Sequence, residues 1–205
     1  MYKILEKEVL NPTVTKMVID APFVAKRAKA GQFIILRVDE DGERIPLTIE
    51  DSDKEKGTVS IVFQIVGRTT MVLNALNVGD SLHDFVGPLG KPSEIEADEK
   101  VCVIGGGVGC AIAYPTAKAF HEAGAQVTSI AGFRNQDLVI LEDDFKACSD
   151  NYYLMSDDGS AGEKGLVTNK LEELIQAGQK FDRVIAIGPL IMMKGSIRMA
   201  KHTGE

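Results

Sequence analysis

The sequence predicts two domains of different class: an antiparallel β-barrel over residues 1–95 and an α/β domain with a parallel sheet over residues 96–205. Three observations predict this. The first half falls into short β-branched runs separated by turn residues. The second half alternates strand-like apolar runs with helical periodicity. Between them lies the charged, uneven stretch KPSEIEADEK (91–100), which suits a boundary.

In the first half, TVTKMVID (13–20), GQFIILRV (31–38), GTVSIVFQIV (57–66) and GDSLHDFVG (79–87) read as strands. NP at 11–12, DEDGE at 39–43 and DKEKG at 53–57 separate them as turns. One short helix fits near TTMVLNAL (69–76). Short strands with turn punctuation are the pattern of a small antiparallel barrel.

In the second half, KVCVIG (100–105), QVTSIAGF (126–133), NYYLMS (151–156) and FDRVIAIG (181–188) read as four strands. CAIAYPTAKAFHEAG (110–124) is helical, with Gly124 as its C-terminal stop. TNKLEELIQAG (168–178) is a helix with Leu171, Leu174 and Ile175 on one face, and 189–201 is helical as well. Strand–helix alternation of this kind implies a parallel sheet wound by right-handed crossovers.

Composition bounds the function. The 205 residues are 44% hydrophobic and 26% charged, as in an ordinary globular protein, and carry a net charge of −7. That charge argues against nucleic acid as a partner, because phosphate backbones need clustered Lys and Arg. An anionic cofactor stays open, since backbone N–H groups bind it without side-chain charge. No apolar run approaches the length of a membrane span, and MYKILEKEVL has no signal-peptide core, so a cytoplasmic protein is expected. Cys102, Cys110 and Cys148 have no metal-ligand spacing, and His83, His121 and His202 are scattered. Reduced thiols in or near a core, and no metal site, are expected.

The stretch VIGGGVGCAIAYP (103–115) sets glycines between a strand and a helix, where a dinucleotide pyrophosphate is usually received. It departs from the G-x-G-x-x-G fingerprint: Gly105 and Gly107 fit, but the third slot is Cys110. The second strand runs into Gly132, Phe133 and Arg134 and not into an acid. SDDGSAGEKGLVT (156–168) is long for its connection and IGPLIMM (187–193) follows the fourth strand; both fall on the same sheet edge. An Asx-type bond from Asp157 and a first-turn position for Pro189 are the purely structural alternatives. In the barrel half, ERIPLTIED (43–51) puts Arg44, Pro46 and Thr48 on one side of a strand. VGRTTMVL (66–73) offers Gly67 with Thr69 or Thr70 as an N-cap, a helix start fit for a second diphosphate.

RIPLTI (44–49), VGRTT (66–70), GPLG (87–90), GGGVG (105–109), SDDGSAGEKGLVT (156–168) and GPLIMMK (188–194) together resemble the ferredoxin–NADP reductase superfamily. Within it the chain is most similar to dihydroorotate dehydrogenase electron-transfer subunits, the small (alpha) subunit of NADH-dependent reduced ferredoxin:NADP oxidoreductase, and the related sulfide dehydrogenase subunit. The resemblance implies an FAD-binding barrel, an NAD(P)H-binding α/β domain, and hydride transfer from NAD(P)H to FAD. Electrons then pass to a larger oxidoreductase subunit or a ferredoxin-type carrier. Alternatives are a dihydroorotate dehydrogenase subunit specifically, or a non-catalytic interaction subunit that has lost its flavin.

By that resemblance, Thr48 sits near the flavin N5 and Leu47 and Ile49 flank it against the isoalloxazine. Gly67, Thr69 and Thr70 wrap the FAD diphosphate. Gly106, Gly107, Val108 and Gly109 form the nicotinamide-dinucleotide loop, and Gly188 and Pro189 close on the nicotinamide. Arg134 suits a 2′-phosphate, whereas Asp157 and Asp158 favour a free ribose 2′-OH, and NAD(H) is the expected preference. The chain departs from the pattern where the family's usual arginine aligns with Ile45, leaving Arg44 one place early, and where Ile112 replaces a proline. The family's 2Fe–2S cysteine cluster is absent from this sequence, which reaches Glu205 without it, so either the sequence is truncated or the protein lacks the centre.

Overall fold

A computed structural model describes residues 1–201 and divides the chain into two compact units, Met1–Ser93 and Glu94–Glu205. His202 lies outside the described residues.

The first unit holds strands β1 (Tyr2–Asn11), β2 (Val14–Asp20), β3 (Phe33–Arg37), β4 (Ile45–Asp53), β5 (Thr58–Gln64), β6 (Ser81–Leu82) and β7 (Asp84–Leu89). Two helices, α1 (Pro22–Ala25) and α2 (Arg68–Ala75), lie between them. The strands pair antiparallel in the order β6-β1-β2-β5-β4-β3-β7. β6 and β7 belong to one stretch, broken at His83, whose N–H is shared between the carbonyls of Arg37 and Val38. The part before the break pairs with β1 and the part after it with β3, at opposite ends of the order, so the sheet curls into a nearly closed barrel. Residues 79–87, expected as one strand, are therefore two. Met17, Ile19, Ile34, Leu36, Ile61 and Phe85 fill the interior.

β1 was not expected. Its sequence YKILEKEVLN is charged because most of its residues face outward, and only Ile4 and Asn11 are buried. β4 falls on the 43–51 stretch that reads as a strand, and its ladder accommodates Pro46. Over Ile45–Thr48, β4 pairs with β3 alone, and pairing with β5 begins only at Ile49. The Ile49 N–H donates toward β3, to the Gln32 carbonyl. By alternation the Pro46 and Thr48 nitrogens face the opposite, open edge, where a missing donor costs nothing.

The second unit holds β8 (Lys100–Gly106), β9 (Gln126–Phe133), β10 (Asn151–Ser156), β11 (Glu163–Lys164) and β12 (Arg183–Ile187). Its helices are α3 (Gly109–Ala123), α4 (Glu142–Ala147), α5 (Val167–Gln176) and α6 (Leu190–Lys201). The sheet is parallel in the order β11-β10-β9-β8-β12. The four expected strands are all present, and β11 is added from within the 156–168 connection. Alternate residues of β8 serve opposite faces. Cys102 and Ile104 pack with Leu171 and Leu174 of α5, while α3 lies against the strand as well. Gly124, at φ +93°, ends α3 as the sequence predicts.

Topology fixes where a ligand can enter the second unit. From β8 the chain steps outward to β9 and β10, then returns to the other side of β8 as β12. The order reverses between β8 and β12. At such a switch point the connections leave the strand ends in opposite directions and open a crevice at the carboxyl edge.

Candidate functional site

At that crevice the loops after β8 and β12 meet glycine against glycine. A Cβ on Gly106 would lie 2.5 Å from Met192 Sδ and 3.1 Å from Pro189 Cδ; one on Gly109 would lie 2.6 Å from the Ile187 carbonyl oxygen. A Cβ on Gly188 would lie 3.1 Å from the Gly106 backbone, and one on Gly105 2.7 Å from Cys110 Sγ. Gly105 and Gly109 are required by close packing on backbone atoms, and Gly106 and Gly188 lie closely against Met192 and each other. Gly107 is different. It has φ +56°, and a Cβ there would meet nothing within 4 Å. Its N–H donates to the Gly132 carbonyl at 2.9 Å, its carbonyl accepts from Cys110, and Val108 follows as the N-cap of α3. Gly107 is thus the one glycine of the loop with open space above it, beside the start of a 15-residue helix. That cradle fits a pyrophosphate, which needs close approach to backbone and the positive end of a helix.

The far side of the crevice edge is built by β9 and β10. Ser156 pairs with Phe133, and the next two N–H groups, of Asp157 and Asp158, donate to the carbonyls of Phe133 and Arg134. Arg134 and Asp157 are therefore brought together at one corner, both exposed. The Asx-type bond falls to Asp158 and not to Asp157: Asp158 Oδ1 accepts from the Ser160 N–H at 2.9 Å and the Ser160 hydroxyl at 2.6 Å. Those bonds hold the Asp158 carboxyl below the usual carboxylate range. Ser160 Oγ in turn accepts from the Gln136 N–H at 2.8 Å, tying this loop to the one after β9.

In the barrel unit, side chains of Ile45, Leu47 and Ile49 pack into the core, so Pro46 and Thr48 face outward. Leu47 and Ile49, expected to flank a flavin with Thr48, can offer an outer-face ligand only their backbone. Arg44 is tied to Asp84 Oδ2 at 3.2 Å, and Arg37 reaches the same oxygen at 2.8 Å. His83 Nδ1 lies 3.0 Å from both Asp84 Oδ1 and Arg37. Protonated it donates to Asp84, and unprotonated it accepts from Arg37, so only one of the two bonds forms at a time. The His83 bond, then Arg37, holds the Asp84 carboxyl below its ordinary range.

Neither threonine is the N-cap of α2; Gly67 is. Thr70 is the third helical residue and folds back. Its hydroxyl accepts from the N–H groups of Val66 and Gly67 at 3.0 and 3.1 Å and donates to the Gly67 carbonyl at 2.9 Å. Gly67 has no side chain to return the bond, and a Cβ on it would meet nothing within 4 Å. The first N–H groups of α2 are therefore open to an outside acceptor. The Thr69 hydroxyl donates to Glu43 Oε2 at 2.9 Å, so a carboxylate already lies against this helix start. The donor set and the open space fit a diphosphate. Glu43 is the site residue that motif reading missed. Its only sequence signal is its place beside Arg44.

The thiols do not fit an iron–sulfur cluster. Cys102 is in β8, Cys110 in the first turn of α3 and Cys148 after α4; all three are buried. Burial pushes Cys102 and Cys110 up to about 12 and Cys148 up to about 11, far from the thiolate a cluster requires. Among the described residues no His, Cys, Asp and Glu group is placed to hold a metal ion. No helix among them is long and apolar enough to cross a membrane.

An antiparallel barrel with a glycine-opened helix start, followed by a parallel sheet with a glycine loop at its switch point, defines the ferredoxin–NADP reductase superfamily. The comparisons narrow this. A Thermotoga maritima protein described as a dihydroorotate dehydrogenase B (NAD(+)) electron transfer subunit homolog is 45% identical over all of this chain and 72% of its own length. The Streptococcus pneumoniae dihydroorotate dehydrogenase B (NAD(+)) electron transfer subunit is 33% identical over 94% of this chain and 75% of its own. Among solved structures, a chain from the NADH-dependent reduced ferredoxin–NADP oxidoreductase, solved for insight into flavin-based electron bifurcation, superposes with TM-score 0.91. It is 44% identical over 98% of this chain and 72% of its own. No family model matches the chain. The chain belongs to the electron-transfer subunit family of the dihydroorotate dehydrogenase B type.

Proposed function

We propose that this chain is an electron-transfer flavoprotein subunit, with FAD on the barrel (1–95) and NAD(P)H on the α/β domain (96–205). The observation that carries the reading is Gly107, a left-handed glycine with empty space above it at the switch point of a parallel sheet. When bound, the flavin supplies the chemistry: it takes a hydride from the reduced nicotinamide and releases electrons onward.

The chain's residues bind and orient. Gly106, Gly107, Val108 and Gly109 form the loop that receives the dinucleotide pyrophosphate: Gly107 supplies the open space, its own N–H being given to Gly132, and the N–H groups opening α3 supply the donors, while Gly188 and Pro189 wall the nicotinamide side. Gly67 and the N–H groups opening α2 receive the FAD diphosphate. Thr70 holds that turn in shape. Thr48, on the outward face of β4 beside an open ladder edge, presents a hydroxyl and an N–H to the flavin edge. Arg44 is held by Asp84 within reach of solvent. At the β9–β10 corner, Asp157 is exposed with no partner among the described residues and repels a 2′-phosphate more than Arg134 alone would attract it, since Asp158 adds a second charge. NAD(H) is therefore the preferred cofactor. The partner is a larger oxidoreductase subunit or a ferredoxin-type carrier, and the setting is cytoplasmic. The Thermotoga relative favours a dihydroorotate dehydrogenase catalytic subunit as a second choice of partner.

The test is direct. The purified chain, reconstituted with FAD if needed, should show a flavin spectrum that NADH bleaches faster than NADPH. A chain that takes up no flavin is an interaction subunit and not an electron carrier.

A further inference from the structure

The start of α2 carries a charge that its own helix does not supply. Its first turn contains no acidic residue. The carboxylate against it comes from Glu43, on the connection between β3 and β4, and is held by the Thr69 hydroxyl at 2.9 Å. Thr69 is the second helical residue, so this carboxylate is held beside the first turn of α2 by a side-chain hydroxyl. The neighbouring residues are occupied elsewhere: Arg44 with Asp84, and Thr70 with Val66 and Gly67. A negative group at this position is favoured by the partial positive charge of the helix start. It is also the group least compatible with an incoming diphosphate, which carries the same charge and seeks the same N–H donors.

We propose that Glu43 is a resident anion guarding the cofactor diphosphate site: its carboxylate takes the place of the diphosphate at the start of α2, and FAD binds by displacing it and taking over the Thr69 hydroxyl. The inference rests on the FAD reading above. Its consequence is that the β3–β4 connection is latched to α2 before cofactor arrives and released after. FAD affinity is thereby set below what the backbone site alone would give.

Glu43→Gln tests this, because the amide oxygen still accepts from Thr69 while the charge is gone. Flavin fluorescence quenching on cofactor-free protein gives the dissociation constants. FAD should bind the variant roughly three- to tenfold tighter than the wild type, the range expected for one exposed charge at a helix start. ADP, which carries the diphosphate without the flavin, should gain similarly when measured by competition. Riboflavin, which carries no phosphate, should be unchanged. The gain should shrink in ~0.5 M salt, where exposed charges are screened. Wild-type protein that binds FAD while Glu43→Gln binds it equally or more weakly overturns the inference alone. An equal gain for riboflavin, or a gain untouched by salt, overturns it too. Wild-type protein that binds no FAD at all sinks the flavoprotein reading, and the guard with it.

Discussion

The two helix starts of this chain meet the same need by opposite means. At α3 the backbone dominates: Gly106, Gly109 and Gly188 let two loops approach, Gly105 makes room for Cys110 of the following helix, and Gly107 alone has open space. At α2 a single open glycine is surrounded by side chains with defined jobs: Thr70 builds the turn, Thr69 holds Glu43, and Arg44 is anchored on Asp84. The difference teaches that the proposed nucleotide crevice is a property of topology, fixed by strand order, whereas the proposed barrel site is assembled from replaceable parts. The packed glycines of the crevice should therefore fail by loss of fold, and open Gly107 and the barrel side chains chiefly by loss of binding.

The largest effect should come from Gly109→Ala. The added Cβ would sit 2.6 Å from the Ile187 carbonyl oxygen and 2.9 Å from Gly188 Cα, backbone atoms that cannot turn aside. A loss of about 3 kcal/mol is expected from forced overpacking, read as a lowered midpoint in urea unfolding. A variant as stable as the wild type would mean that the loops do not pack as described.

Gly107→Asn separates fold from function at the same loop. Asn tolerates a positive φ, and the position is open, so stability should fall by no more than about 1 kcal/mol. Flavin reduction by NADH should slow by roughly tenfold to a hundredfold while flavin content stays unchanged. Gly107→Val should add a strain penalty of about 1–2 kcal/mol, because a β-branched residue resists this conformation. Stopped-flow traces unchanged in both variants would remove Gly107 from the nucleotide site.

In the barrel, Thr70→Val deletes three hydrogen bonds at once. It should cost about 1–2 kcal/mol of stability and weaken FAD binding, with Thr70→Ser restoring both. If FAD binds the Val variant at full strength, the turn does not shape the diphosphate site. A smaller change is expected from Asp157→Asn: the ratio of NADPH to NADH reduction rates should rise roughly three- to fivefold, the scale of one exposed charge. An unchanged ratio would place the 2′ position elsewhere.

Much of this contrast was legible in the sequence, and unevenly so. The parallel sheet was readable because its central strands β8 and β9 are buried on both faces and glycines punctuate the connections; β8, β9, β10 and β12 all lie where apolar runs predict. β1 was hidden because an outward-facing strand is free to be charged, whereas β4 falls on the 43–51 stretch that reads as a strand with its proline where no ladder bond is needed. α4 escaped although its opening acids Glu142, Asp143 and Asp144 are a helix-start signal, with Lys146 bonded to Glu142 at 2.7 Å. Among candidate site residues, the motif names the glycines, but which one is open depends on contacts with residues about eighty positions away, beyond any local pattern. Glu43 was invisible for the same reason, since its partner Thr69 lies across two strands and the turns that join them. The N-cap assignment to a threonine failed because Thr70 reaches backward to the backbone.

The smallest expected effect is a null. Burial holds Cys102 and Cys110 up at about 12, so a thiol reagent at pH 8 should leave both unlabelled in the folded protein. Rapid labelling of Cys110 would show that the α3 start is open to a depth the packing forbids.

The central claim is that one chain receives a nicotinamide on a topological crevice and a flavin on an assembled barrel site. Anaerobic stopped-flow mixing of the FAD-reconstituted protein with NADH tests it most directly, with Gly107→Asn run in parallel. The account predicts one FAD per chain, rapid bleaching of the flavin band by NADH in the wild type, and slow bleaching in Gly107→Asn with the same FAD content. A protein that retains FAD yet is not bleached by NADH or NADPH, or a variant bleached as fast as the wild type, would contradict it.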